Sequence, residues 1–303
     1  MRLARHAWSL LKDAVKGFIA HGDLSRGAAI AYFTLFAVVP VLVLVIAVAG
    51  AVFGHEAAQG AIVAELSGLM GAKTADALQD MLNAANRSRS SEGFAAWGGV
   101  AAILFAASGV FGEVQTSLNK VWQVKDESSG IRTLVRVRLI SLTLVLTLGF
   151  LLIVSLAVSA ALTAFAKYLL ATFPVLGVAM HVVEILVSGL LMTAMFAAIY
   201  KFLPDTPIAW RDVVVGALFT TLLFALGRYL IALYVTQTDV ASTFGAAGAV
   251  IVMLVWIFFS AQFFLLGAEF TRAWAEQFGS HRHGRRQLPG AGAKPEARPI
   301  EAE

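Results

Sequence analysis

Residues 201–274, KFLPDTPIAWRDVVVGALFTTLLFALGRYLIALYVTQTDVASTFGAAGAVIVMLVWIFFSAQFFLLGAEFTRAW, decide the fold. They hold two apolar runs, about 213–235 and 244–270, and a helix needs about 20 predominantly apolar residues to cross lipid. The turn ahead of them, FLPDTPIAWRD (202–212), sets Asp205 between Pro204 and Pro207 and places Trp210 at the level of a membrane interface. A turn this short makes the preceding run, 178–200, an antiparallel neighbour of 213–235.

Working outward, three more such runs lie at about 27–53, 95–112 and 139–163, so six transmembrane helices are expected. The composition agrees, with 59% hydrophobic residues, 14% charged residues and a mean hydropathy of +0.79. The short alternating segments of a barrel are not what these runs look like. The fold class is therefore all-α: one polytopic membrane domain over 1–278, followed by a polar tail over 279–303 that reads as disordered and cytoplasmic. Basic residues fix the orientation. Eighteen of the 23 Lys and Arg fall before the first run, after the second, in the 202–212 turn and its approach, or from Arg272 onward, against Lys73, Arg87, Arg89 and Lys167 on the other side, which puts both termini in the cytoplasm. The chain has no cysteine, which removes disulfides and thiol chemistry.

Residues 4–20 set Trp8, Leu11, Val15 and Phe18 against Arg5, Lys12 and Lys16, which suits either a helix in the headgroup layer or one packed on the bundle. Ala47-Val48-Ala49 has the form of a cleavage site, but the long run around it reads as an uncleaved first span. Pro40 lies near the middle of that span and predicts a kink or break at Val39. The stretch 54–94 is the one large outside segment, with Ile62, Leu66, Leu69, Leu78, Met81, Leu82 and Ala85 spaced as two short amphipathic helices; they would cap an outer opening or lie on the membrane surface. Arg132, Arg136 and Arg138 would meet anionic headgroups at the entrance to the third span. The HRHGRR cluster of the tail reads as an orientation signal and not as a nucleic-acid site.

Candidate functional residues follow from polar groups set among apolar ones. Arg228 sits inside the fifth run, on a small and polar row with Ala217, Thr221, Ala225, Ala232 and Thr236, and an arginine at that depth costs about 2.5–3.5 kcal/mol unless paired or hydrated. Counting about 1.5 Å per residue from the 202–212 turn puts Arg228 about 24 Å and Glu184 about 27 Å from it, so the two would meet as a pair that either lines a path or pins the hairpin. His181 shares a helix face with Glu184, but two ligands without a third make no metal site. Glu113 and Glu269 are weaker candidates at the cytoplasmic mouth, Glu269 being read as a surface pair with Arg272 three residues on.

The stretches RGAAIAYFTLFAVVPVLV, SLNKVWQV, YKFLPDTPIAWRDVVVGAL and FGAAGAVIVMLVWIFFSAQFFLLGAEF together resemble the YihY/BrkB family of bacterial inner-membrane proteins, over nearly the whole of 26–274. The resemblance implies a six-span inner-membrane protein with a transport role; the family includes a virulence-associated member and has often carried the label ribonuclease BN. It supplies no catalytic residues. The residues themselves give no HExxH helix, P-loop or nucleophile with its base, so no enzyme activity and no cofactor are expected, and ribonuclease chemistry lacks both carboxylate cluster and basic substrate surface. The reading is a transporter of an amphiphilic, lipid-like anion, with membrane lipids as its surroundings, no nucleic-acid partner and room for an oligomer. Its alternative is a non-transporting scaffold or envelope-integrity factor whose buried ions are structural.

Overall fold

A computed structural model describes residues 2–70, 72–88, 109–124, 177–238 and 246–280, together with positions 154, 157, 158 and 161. The described residues are helical, without strands. In chain order they form α1 (Arg2–Ala20), α2 (Asp23–Phe53), α3 (His55–Met70), α4 (Ala72–Ser88), α5 (109–121), α6 (Gly177–Phe202), α7 (Trp210–Thr238) and α8 (Ala246–Gln277). Four of these contain stretches long and apolar enough to cross a membrane: Asp23–Ala51, Ile185–Phe202, Trp210–Ile231 and Val250–Gln277. The expected spans at 95–112 and 139–163 lie largely outside the described residues, as does the tail beyond Ser280.

The last helix is the hub, packing against α7, α2, α1 and α4. Its contact with α7 is a reciprocal glycine–threonine crossing. A Cβ on Gly216 of α7 would fall 1.8 Å from Thr271 Oγ1, and one on Gly267 of α8 would fall 2.0 Å from Thr220 Oγ1. Each threonine thus sits in the notch left by the other helix's glycine. Each also bonds back into its own helix, Thr220 Oγ1 to Gly216 O at 2.8 Å and Thr271 Oγ1 to Gly267 O at 2.7 Å, so neither hydroxyl is stranded in an apolar interior. Tyr200 completes the joint, donating to Phe264 O at 2.7 Å and lying 3.0 Å from Thr220 Oγ1.

The short turn makes α6 and α7 neighbours, and Thr193 Oγ1 meets Thr221 Oγ1 at 3.0 Å between them. That turn is clamped from outside. Asn119 of α5 donates to Asp205 Oδ2 at 2.8 Å and accepts from Asp205 N at 2.9 Å, while Gln115 donates a second bond to the same carboxylate oxygen. Two of the stretches that the sequence singles out, SLNKVWQV and FLPDTP, are therefore parts of one joint. Asp212, in the first turn of α7, accepts from Ser280 N and Oγ at 3.0 and 2.7 Å, which ties the end of the described chain back to the same region.

Two expectations change. The helix α2 runs unbroken from Asp23 to Phe53 through Pro40, which overturns the break at Val39 and leaves the kink an expectation. Of the segment 54–94, the described residues form two helices that pack along α2 and α8. Gly54, at φ 89°, is the single residue between α2 and α3, a left-handed position that favours glycine and reverses the chain sharply. α3 then returns along α2, and α4 follows it: Ile62 and Leu82 pack with Val43 and Ile46, and Leu78 joins the cluster of Ala31, Met253 and Ile257. Since Ala31 is only eight residues, about 12 Å, above Asp23, the hairpin lies alongside the apolar run instead of beyond it. The apolar spacing revealed the buried face; the partner it would choose, a neighbouring helix rather than the membrane surface, is not encoded in spacing. On the opposite face of α4, Asp76, Asp80 and Asn83 are exposed.

For α1 the packing on the bundle is seen, and the headgroup-layer reading stays an expectation. Leu10 and Ala14 are buried where α1 packs on α8, while Trp8, Leu11, Val15 and Ile19 remain exposed beside Lys12 and Lys16, a second apolar face with the composition of a headgroup-layer surface.

Candidate functional site

Among the described residues, a buried polar cluster forms where the α1–α2 turn, the end of α5 and the end of α8 meet. Gly22, at φ 69°, breaks α1 from α2 and throws His21 and Asp23 toward α8. Asp23 is fully buried and Glu269 is 2% exposed. His21 Nδ1 lies 2.5 Å from Glu269 Oε1, and the Glu269 and Asp23 carboxyls are within hydrogen-bonding reach of each other. Arg272 holds the other side: NH1 donates to Val121 O at 2.8 Å, faces His21 Nε2 at 3.2 Å and stands 4.0 Å from Glu269 Oε2, while Nε donates to Glu276 at 2.8 Å. Gln123, held at φ 52° just past α5, turns its amide oxygen to within 3.2 Å of Arg272 NH2.

Glycines admit this chemistry. A Cβ on Gly17 of α1 would fall 2.2 Å from Glu269 Oε2, and one on Gly27 of α2 would fall 2.2 Å from Gln262 Nε2. The two long polar side chains on one face of α8 thus lie over bare backbone, and Gln262 donates to Leu24 O at 3.2 Å. Among the described residues no three His, Cys, Asp or Glu side chains are arranged to hold a metal ion.

Protonation of His21 at Nδ1 follows from its partner. The carboxylate of Glu269 can only accept, so Nδ1–H of His21 donates to it, while Nε2 faces both the Arg272 guanidinium and the Gln123 amide at 3.2 Å. Burial lowers the His21 pKa from the ordinary 6.5, and the Arg272 charge lowers it further against the opposing pull of Asp23. Because the folded state holds this proton less well than the unfolded chain, the stability His21 contributes is present in full above about 6.5 and is lost as pH falls through the lowered folded value. Melting of the purified chain in detergent should therefore drop on acidification below that point, with a flatter slope for His21→Gln. Equal slopes would remove His21 from the acid response.

The other candidates fall elsewhere. Glu269, expected as a surface pair with Arg272, keeps Arg272 as a neighbour at 4.0 Å but is buried and also contacts His21, because Gly17 lets α1 close over it. Thr221 is buried and bonds Thr193 and Ala217 O. Arg228 and Ala225, from the same row, are exposed. Glu113 is half-buried on α5. His181 and Glu184 fall on α6, with side chains outside the described part of the structure, so the pairing of Glu184 with Arg228 stays an expectation.

Residues 14–290 match the family described as Virulence factor BrkB. The chain belongs to the BrkB family. Its relatives include membrane proteins designated UPF0761, from Chromohalobacter salexigens at 28% identity over 87% of this chain and 62% of the relative, and from Azotobacter vinelandii at 29% identity over 83% and 60%. A Bacillus subtilis relative, YfkH, named for likeness to a ribonuclease, is 24% identical over 86% of this chain and 93% of its own length. This BrkB chain spans about half to two-thirds of the length of the UPF0761 proteins it matches first, between 48% and 64%. No solved structure matches it. The UPF0761 names state membrane residence and no reaction.

Sequence reasoning missed Asp23, His21 and Gln123 as members of the BrkB chain's buried cluster. Asp23 looks like an ordinary acidic residue at a helix start, where the dipole favours it. The available signal was Gly17 and Gly27 on helices otherwise built from larger residues, since a glycine in a helix interior costs about 1 kcal/mol and implies a close approach.

Proposed function

We propose that this BrkB-family protein is an inner-membrane transporter, not an enzyme, that carries an amphiphilic, lipid-like anion, with both termini in the cytoplasm and six spans in all. One observation carries the reading. Arg228 is exposed within the apolar stretch Trp210–Ile231, beside the exposed apolar stripe Leu222, Leu226 and Tyr229. A guanidinium set in lipid at that position costs about 2.5–3.5 kcal/mol, whereas an anionic headgroup or water relieves it. Charge beside an apolar stripe is the surface an amphiphilic anion would match, with its headgroup on Arg228 and its chains along the leucines.

The test uses the 303-residue chain in phosphatidylethanolamine–phosphatidylglycerol vesicles, with fluorescently labelled phosphatidylglycerol as probe and external dithionite reporting transfer between leaflets. Transfer should exceed that of protein-free vesicles. Arg228→Ala should lose about tenfold or more, since a charge-assisted hydrogen bond is worth about 1.5–3 kcal/mol, and Arg228→Lys should keep part of the rate. Wild-type transfer no faster than protein-free vesicles would overturn the reading for this lipid class and favour a scaffold with structural ions.

A further inference from the structure

We propose that Asp23 and Glu269 form a proton-binding site, in which the two buried carboxyls share one proton at neutral pH. The argument is a count of donors. Both Asp23 oxygens are buried and lack a hydrogen-bond partner. The backbone at the start of α2 offers none, because the N–H groups of Ser25 and Arg26 are already bonded to Gly22 O at 3.1 and 3.3 Å. Asp23 therefore does not cap its own helix. A fully buried, unpartnered carboxylate is among the costliest groups a protein can hold, and it takes up a proton or a donor to avoid that cost.

The neighbouring charges do not supply the donor. His21 spends Nδ1–H on Glu269, and its Nε2 faces Arg272 and Gln123, away from Asp23. Arg272 is divided among Glu276, Val121 O and His21, and stays 4.0 Å from Glu269. Arg26 on α2 and Lys120 on α5 act on this group only through space, and α1 contributes Gly17, which has no side chain. Two buried carboxylates thus face one nearby guanidinium, itself paired with the third carboxylate, Glu276. Carboxyls in hydrogen-bonding reach of each other cannot both ionise cheaply, and a single shared proton gives Asp23 the donor it lacks while keeping one charge for Arg272 to balance. His21 touches the pair on one side and reaches toward Gln123, an exposed residue, on the other. That makes it the path by which a proton enters or leaves. Because the site bonds helices from both ends of the chain, α2 and α8, occupancy by the proton sets how tightly they are joined.

The site is measurable without any substrate, so its failure is distinct from failure of the transport reading. Infrared spectra of the purified wild-type chain in detergent at pH 7 should contain the C=O stretch of a protonated carboxyl, shifted in D2O and lost on alkaline titration. Carboxyl-13C labelling of aspartate alone, then of glutamate alone, assigns the band by residue type with no substitution. Asp23→Asn and Glu269→Gln, each close to isosteric and each bringing an amide donor, should fold and should each abolish the band. A wild-type spectrum without the band, or a band that moves with neither label, overturns the proposal. So does a band that survives unchanged in either folded variant.

Discussion

Gly216→Ala is expected to destabilise the protein by about 3 kcal/mol, at the upper end of what overpacking a tight interior costs. Alanine is the better helix former by about 1 kcal/mol, so intrinsic propensity alone predicts a gain. The crossing reverses that sign. The added methyl would fall 1.8 Å from Thr271 Oγ1 and 2.6 Å from Thr271 Cβ. A Cβ is fixed to its helix, so rotating the side chain cannot clear the clash and α7 must part from α8. Separation also opens the reciprocal notch at Gly267 and pulls Tyr200 from Phe264 O and Thr220. Thermal unfolding in detergent measures the loss. Thr271→Gly should restore part of it by removing the obstructing atoms, at the expense of its own helix propensity, which makes the pair non-additive. A Gly216→Ala variant that melts with the wild type would mean that the crossing is looser than the packing indicates.

The same crossing shows what could be read from the chain. Glycine at 216 and 267, each followed four residues later by threonine, is visible in the sequence as a small-residue face, and the apolar runs around it mark membrane helices without ambiguity. The hairpin of α6 and α7 follows from a turn too short to allow anything else. Partner choice is where the reading stops. The apolar faces of α3 and α4 are evident from spacing, yet whether they meet water, headgroups or α2 depends on a three-dimensional arrangement set largely by Gly54 and by the available surface of α2 and α8. Glu269 illustrates the limit at the candidate site. Its spacing to Arg272 is that of a surface pair, and the residues that bury it, Gly17, His21 and Asp23, come from the far end of the chain.

Arg272→Met should cost about 1.5–3 kcal/mol, the worth of hydrogen bonds to a charged group at a partly buried site, while keeping most of the packing that the aliphatic stem supplies. Two acceptors lose a donor at once, Val121 O, the last residue of α5, and Glu276, and the ring of His21 loses its charged neighbour. Arg272→Lys should recover less than half, because one ammonium cannot reach both Glu276 from the Nε side and Val121 O from the far end of the fork. The loss should also depend on pH, and its direction follows from the groups left behind. Burial, the larger influence lowering the His21 pKa, remains, but the guanidinium's added downward pull is gone, so His21 protonates more readily than in the wild type and can take over as the cation facing Glu269. The deficit of Arg272→Met relative to wild type should therefore shrink as pH falls below about 6.5 and stand at its full size above it. Unfolding measured across that range decides the point. A deficit that stays constant with pH would show that Arg272 acts only as a clamp on α5 and not as the charge that sets protonation in the cluster.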